Sequence, residues 1–216
     1  MTDIQAVAVV GLGAVMPDAS DPLAFWNNIQ TGRSSISEVS DERWRADLYY
    51  SADHSVRDKT YSKIGGWVRA FNLDAFKWGI AIPPRVLQSM DMSQQWAIDA
   101  SRQALTDYGY PQRHLDPERV AVIIGNTLAG EGHYNSTFRI RLPEYMEMLT
   151  ALPDFQLLPE TTRRALLEGL QGSMQNRVPD ITEDTMPGEL PNIIAGRVAN
   201  VFNFSGPNFI TDAACA

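Results

Sequence analysis

Two short apolar runs, each closed by glycine, limit what this chain can fold into. Residues Ala6 to Val10 lead straight into Gly11-Leu12-Gly13, and Val120 to Ile124 lead into Gly125. A run without polar alternation suits a strand covered on both faces, as in a parallel sheet flanked by helices. Helical stretches between the runs supply that cover. Asp21-Pro22 offers an N-cap and a first-turn proline, Leu23, Phe25, Trp26 and Ile29 an apolar side, and Gly32 a stop. Asp91-Met92-Ser93-Gln94 has the spacing of a capping box, after which Trp96, Ala97, Ala100, Ala104, Leu105 and Tyr108 recur at helical intervals until Gly109. The small residues on that helix predict close packing on a sheet. Strand, helix and strand in this order argue for an α/β layer.

The rest is less regular. Residues 33–78 are rich in aromatics (Trp44, Tyr49, Tyr50, Tyr61, Trp67, Phe71, Phe76) and read as a surface excursion with short strands, with Gly65-Gly66 as a turn. Residues 126–188 read as an inserted cap. They hold two helices, around Leu142 to Leu149 and Pro159 to Gln171, and an acidic, proline-bearing stretch from Pro179 to Pro187. Ile193, Ile194, Val198, Val201 and Phe202 form one helical face, with Gly196 admitting a neighbouring backbone. Gly206-Pro207 turns the chain into a last strand, Asn208 to Asp212, which ends at Ala213-Ala214-Cys215-Ala216.

Charge and cysteine usage narrow the function. Eighteen Lys and Arg against 26 Asp and Glu leave a net charge of −8, which repels phosphate backbones and argues against a nucleic-acid partner. No run approaches the roughly 18 to 20 apolar residues of a membrane span, and the start MTDIQAVAVV lacks a signal-peptide pattern, so a cytoplasmic location is expected. One cysteine forms no intrachain disulfide, and three scattered histidines, His54, His114 and His133, assemble no zinc site.

Four features invite chemistry. Gly11-Leu12-Gly13 after a strand suggests dinucleotide binding, but Met16 stands where the third glycine belongs and Pro17 follows it, which leaves a strand-to-loop turn. Asp180, Glu183, Asp184 and Glu189 lack the alternating spacing of a calcium loop and read as a solvated acidic loop. His54 beside Asp53 and His133 beside Glu131 read as solvated loop histidines. Cys215 is the sharper candidate. A small-residue tetrad at a strand end is where a tight strand-to-helix turn exposes a nucleophile, and a helix starting there would favour the thiolate. A buried, inert cysteine is the other reading of the same residues.

The run from Gly206 to Ala216, GPNFITDAACA, resembles the active-site approach of the β-ketoacyl synthases. Further matches follow in the family's order: Val7 to Gly13, Phe25-Trp26 with Gly32, Met90-Asp91 with Gln94, and Ile194-Ala195-Gly196-Arg197 before Phe202. Tyr49-Tyr50, Lys59-Thr60-Tyr61, Gly65-Gly66 and Met186-Pro187-Gly188-Glu189-Leu190 are similar to the iterative synthases of polyunsaturated fatty acids and related polyketides. Met92-Ser93, where the common pattern has Pro-Gln, departs from ordinary modular polyketide synthases.

The resemblance implies the N-terminal half of a thiolase-like α-β-α-β-α layered fold, truncated after the nucleophile, so that residues 1–216 form an incomplete synthase domain. It implies an acyltransferase of the 3-oxoacyl-[acyl-carrier-protein] synthase or polyketide synthase type. Cys215 would take an acyl chain from an acyl carrier protein thioester, and the resulting acyl-cysteine would be attacked by the carbanion of a decarboxylated malonyl thioester. The expected cofactor is only the phosphopantetheine arm of the carrier protein, with no metal, and the expected assembly is a homodimer. His54, His114 and His133 do not match the family's two catalytic histidines, so these 216 residues by themselves are expected not to catalyse condensation. The alternative is a noncatalytic scaffold or chain-length subunit paired with a complete synthase.

Overall fold

The protein is described by a computed structural model covering residues 6–128, 130–212 and 214. In chain order the elements are α1 (Pro22–Gln30), β1 (Ile36–Glu38), α2 (Ala46–Tyr49), β2 (Ile64–Gly66), α3 (Pro84–Ser89), α4 (Met92–Tyr108), β3 (Val122–Gly125), α5 (Glu131–Ile140), α6 (Leu142–Ala151), α7 (Pro153–Gln156), α8 (Glu160–Arg177), α9 (Thr185–Glu189), α10 (Ile193–Val201) and β4 (Asn208–Thr211). They fall into two compact units: Met1–Asp74 with Ile98–Leu115, and Ala75–Ala97 with Asp116–Ala216.

In the first unit, α1 starts and stops where its sequence requires. The Asp21 carboxylate accepts from Ala24 N–H at 2.8 Å, and Gly32 leaves the helix with φ +66°. The strand expected over Ala6 to Val10 does not form, and Val7 and Val9 are 92% and 79% exposed. A buried strand needs ladder partners, and among the described residues no strand pairs with this segment; the backbone finds α4 side chains only just beyond it. Leu12 N–H donates to Asp107 Oδ2 at 2.8 Å and Ala14 N–H to Gln103 Oε1 at 3.2 Å. A Cβ on Gly11 or Gly13 would collide with the Ala104 or Ala100 carbonyl, so the small face of α4 packs on a glycine segment rather than a sheet. The excursion does carry short strands, β1 and β2, which pair antiparallel with Ile36 opposite Gly66 and Glu38 opposite Ile64. Gly65 and Gly66 are therefore paired strand residues, not a turn. A Cβ on Gly65 would lie 2.9 Å from the Trp67 ring and one on Gly66 2.9 Å from Pro17, so a side chain at either position would have to displace that neighbour.

In the second unit, β3 and β4 pair in parallel, Val122 beside Asn208 and Gly125 beside Thr211, and α10 packs on both strands. Val122, Ile194, Ala195, Val198 and Ala199 are buried there. Ile123 and Phe209, neighbours in the register, are 57% and 49% exposed, so among the described residues β3 is covered on one face rather than two. Gly196 makes only an ordinary contact, a Cβ there lying 3.6 Å from Asn208 Oδ1. The tight approach is at Gly206, where a Cβ would strike the Val120 carbonyl, and Ser205 N–H donates to Pro117 O at 3.0 Å. Glycine at 206 thus lets the chain turn into β4 against the entry to β3.

Helices α5 to α9 occupy the span between β3 and α10. α6 and α8 match the two helices the sequence predicts, whereas α5, α7 and α9 are not among those predicted: α7 and α9 are only four and five residues long, and α5 and α9 carry an internal glycine. Asp91 organises this region: its Oδ1 accepts from Ser93 N–H at 2.9 Å and its Oδ2 from Gly132 N–H at 3.3 Å. One carboxylate caps the first turns of both α4 and α5. The capping box is therefore only half made. Gln94 Nε2 donates to Pro187 O at 2.9 Å instead of reaching back, and Asp91 N–H donates to Gly188 O at 2.8 Å.

Candidate active site

The site begins with the parallel register. Parallel strands end on one edge, and in α/β sheets chemistry collects beyond the carboxyl ends of the strands. Val122 N–H donates to Pro207 O at 2.9 Å and Asn126 N–H to Thr211 O at 3.1 Å, so the ladder runs to the last residues of both strands. This brings Thr127, just past Gly125, beside Asp212, just past Thr211. Thr127 Oγ1 donates to Asp212 Oδ1 at 3.0 Å, and the same oxygen accepts from Ala214 N–H at 2.9 Å. The second bond closes a short side-chain-to-backbone turn. Within it Ala214 has φ +49°, the left-handed region that costs an L-residue about 1 kcal/mol or more. Asn126 Nδ2 donates to Leu128 O at 3.0 Å and shapes the neighbouring loop.

Cys215, the nucleophile expected from sequence, follows this turn directly and lies outside the described residues, as do Ala213 and Ala216. The helix expected to begin at Cys215 lies outside them as well. Thr127 escaped the sequence reading; its only local signal is a hydroxyl two residues after the glycine that closes β3.

The other candidates resolve into structure. Gly11 and Gly13 are required by contact with α4, and the amides of Leu12 and Ala14 already have acceptors on Asp107 and Gln103. They form no phosphate cradle. Asp180 and Glu183 are exposed loop residues as the sequence suggests, and Asp184 is partly exposed, but all three carry ion-pair partners. Arg139 pairs with Asp180, and Arg85 pairs with Glu183 and, at 2.8 Å, with Asp184. The Glu183 carboxyl is held below its ordinary value, first by its own backbone N–H and then by Arg85, whose guanidinium is held above its own. Glu189 is the one of the four that departs from the loop reading. It ends α9 at 5% exposure, and neither carboxylate oxygen meets a hydrogen-bond donor among the described residues. His54 and His114 are exposed, His54 stacking on Tyr61 with ring centroids 4.5 Å apart. His133 is also exposed, but on α5 rather than in a loop. Among the described residues no three His, Cys, Asp or Glu side chains gather to hold a metal ion, and no helix is long and apolar enough to cross a membrane.

The family model described as "Beta-ketoacyl synthase, N-terminal domain" matches residues 5–216. The chain is 26% identical over 210 residues to a polyunsaturated fatty acid synthase polypeptide of Thraustochytrium sp., covering 97% of this chain and 7% of that protein. It is 29% identical over 214 residues to a phenolphthiocerol/phthiocerol polyketide synthase polypeptide of Mycobacterium tuberculosis, covering 98% of this chain and 8% of that protein. The chain thus spans less than a tenth of the length of either relative. Among solved structures, the oxazolomycin ketosynthase domain of Streptomyces albus superposes with a TM-score of 0.62 at 22% identity, covering 95% of this chain and 28% of the other. That likeness shows a shared thiolase-like fold, of which the α/β arrangement of β3, β4 and α10 is part.

Proposed function

This chain belongs to the β-ketoacyl synthase family, whose N-terminal domain it carries, and from that premise we propose that it performs the acyl-transfer half of a decarboxylative Claisen condensation, with Cys215 as the nucleophile. The observation that carries the proposal is the family match over residues 5–216, which runs through β4 and includes Cys215. The Cys215 thiolate attacks the carbonyl carbon of an acyl thioester on the pantetheine arm of an acyl carrier protein. A bond forms from Sγ to that carbon, the pantetheine sulfur departs and takes a proton, and an acyl-cysteine remains. The Cys215 N–H is one donor to the oxyanion of the tetrahedral intermediate. A malonyl-carrier thioester then loses carbon dioxide, and its carbanion attacks the acyl-cysteine and releases the thiolate.

Decarboxylation is not assigned to the residues of this chain, because His54, His114 and His133 match none of the family's histidine motifs. For the same reason we read the 216 residues alone as inactive in condensation. The region 126–188 is proposed as a cap on the synthase domain, and the working assembly as a cytoplasmic homodimer served by a carrier-protein domain.

The test is acylation of the full-length protein by an acyl-pantetheine thioester, read by mass spectrometry of the peptide containing Cys215. Stoichiometric, pH-dependent labelling at Cys215, lost in Cys215→Ala, is expected. Inertness of the wild-type thiol up to its ordinary pKa of about 8.5 overturns the proposal in favour of a noncatalytic chain-length or scaffold subunit.

A further inference from the structure

We infer that Glu189, with Gln94 and Asp91 beside it, forms a buried site for one monovalent cation of the potassium class. Glu189 ends α9 at 5% exposure, and neither of its carboxylate oxygens meets a hydrogen-bond donor among the described residues. Gln94, on α4, is 1% exposed. Its Nε2 donates to Pro187 O at 2.9 Å, which fixes the orientation of the amide and leaves Oε1 as a second buried acceptor without a partner. The backbone brings these groups together. Asp91 N–H donates to Gly188 O at 2.8 Å, next to Glu189, and a Cβ on Gly132 would lie 3.6 Å from both Glu189 Cβ and Asp91 Oδ2. Both carboxylates therefore flank Gly132 in the first turn of α5, and Gln94 holds the carbonyl two residues before Glu189.

Everything the set offers is an acceptor. Buried polar groups are hydrogen-bonded and buried charges paired, because desolvation without a partner is costly, and a bound counter-ion removes that cost. The charge count sets the class of ion. Asp91 is already met by Ser93 N–H and Oγ on Oδ1 and by Gly132 N–H on Oδ2, which leaves Glu189 as the carboxylate without compensation. One uncompensated charge matches a monovalent ion, and oxygen donors suit an alkali metal. A closed site favours potassium over sodium, since the larger ion gives up its water more readily. Magnesium keeps several waters and demands octahedral geometry, which suits an open site instead. Two carboxylates and an amide oxygen make up the set, rather than three acidic or histidine side chains. The Glu189 oxygens and Gln94 Oε1 are the direct ligands, and the ion ties α9 to the starts of α4 and α5.

The experiment measures hydrogen exchange of the full-length protein in potassium chloride, sodium chloride and choline chloride at one ionic strength, in the peptides covering residues 185–190 and 130–136. At potassium about ten times its half-saturating concentration, linkage slows exchange about tenfold relative to choline, and sodium does less. The effect saturates with potassium and is absent from the peptide covering α1, residues 22–30. It is lost in Glu189→Gln, a near-isosteric change that removes the charge. Equal exchange in potassium and choline overturns the inference. So does protection that persists in Glu189→Gln, or that rises without saturation in all three salts. Protection by calcium chloride but not by potassium overturns the monovalent assignment. The readout is exchange rather than acylation, so this inference and the acyl-transfer reading stand or fall separately.

Discussion

The carboxylate of Asp91 fills the space that a side chain at Gly130 would need: a Cβ built on Gly130 collides with both carboxylate oxygens. From that position Asp91 reaches Ser93 N–H on its own helix, α4, and Gly132 N–H on α5, 41 residues further along the chain. Two helix starts share one acceptor, and glycine at 130 is the condition for it.

Gly130→Ala is accordingly expected to displace Asp91 and lower hydrogen-exchange protection of the Ser93 and Gly132 amides by about 1–3 kcal/mol in opening free energy. In an Asp91→Ala background the same glycine substitution has little left to displace. A double-mutant cycle should therefore show a coupling of about 1 kcal/mol or more, and additive losses would refute the shared cap.

Gly206→Ala places a Cβ against the Val120 carbonyl at the turn into β4. Overpacking of this kind costs about 1–3 kcal/mol. The cost should appear as faster exchange of Val122 and Asn126 N–H, whose acceptors lie on the β4 side at Pro207 and Thr211. Gly196→Ala, with only ordinary contact at 3.6 Å, should leave those amides protected.

Ile194 lies 2% exposed on α10, the helix that packs on β3 and β4. Ile194→Ala is expected to destabilise this unit by about 2–5 kcal/mol through lost burial and the cavity left behind. Phe209→Ala, on the exposed side of the same strands, should cost well under half as much by the same exchange measurement.

Arg85 and Glu183 give a pH-dependent contribution whose sign is set by the depressed Glu183 carboxyl. A carboxyl lowered in the folded state stabilises fully above its ordinary value of 4.5 and loses that contribution as pH falls through the depressed value. The thermal midpoint of Arg85→Gln should lie below wild type at about pH 6 to 7, and the gap should close on acidification. Because both side chains are exposed, the gap should also shrink as salt rises.

What could be read along the chain was whatever depends on neighbours a few residues apart. Asp21-Pro22, Gly32, Asp91 and Gly109 mark helix ends because capping and left-handed exits are made within one turn, and the structure bears these out. The β-branched run at Val120 to Ile124 and the stretch GPNFITDAACA likewise announced strands β3 and β4, which form over Val122–Gly125 and Asn208–Thr211, and the stretch resembles the family whose model matches the chain. The tertiary structure decided everything that rests on a partner distant in sequence. The run at Ala6 to Val10 has strand composition, but a strand exists only with an edge to pair with, and Gly11 and Gly13 after it proved to serve α4. Arg85 meets Asp184 across 99 residues, which no spacing rule anticipates, and Glu189 is buried because α9 folds back beside α5. Thr127 and Asp212 belong to the same class: each is ordinary in its own segment, and the parallel register of two strands alone makes them neighbours. Local hydrogen bonds and helical periodicity are written in the order of the residues, whereas contact between distant segments depends on the path of the whole chain.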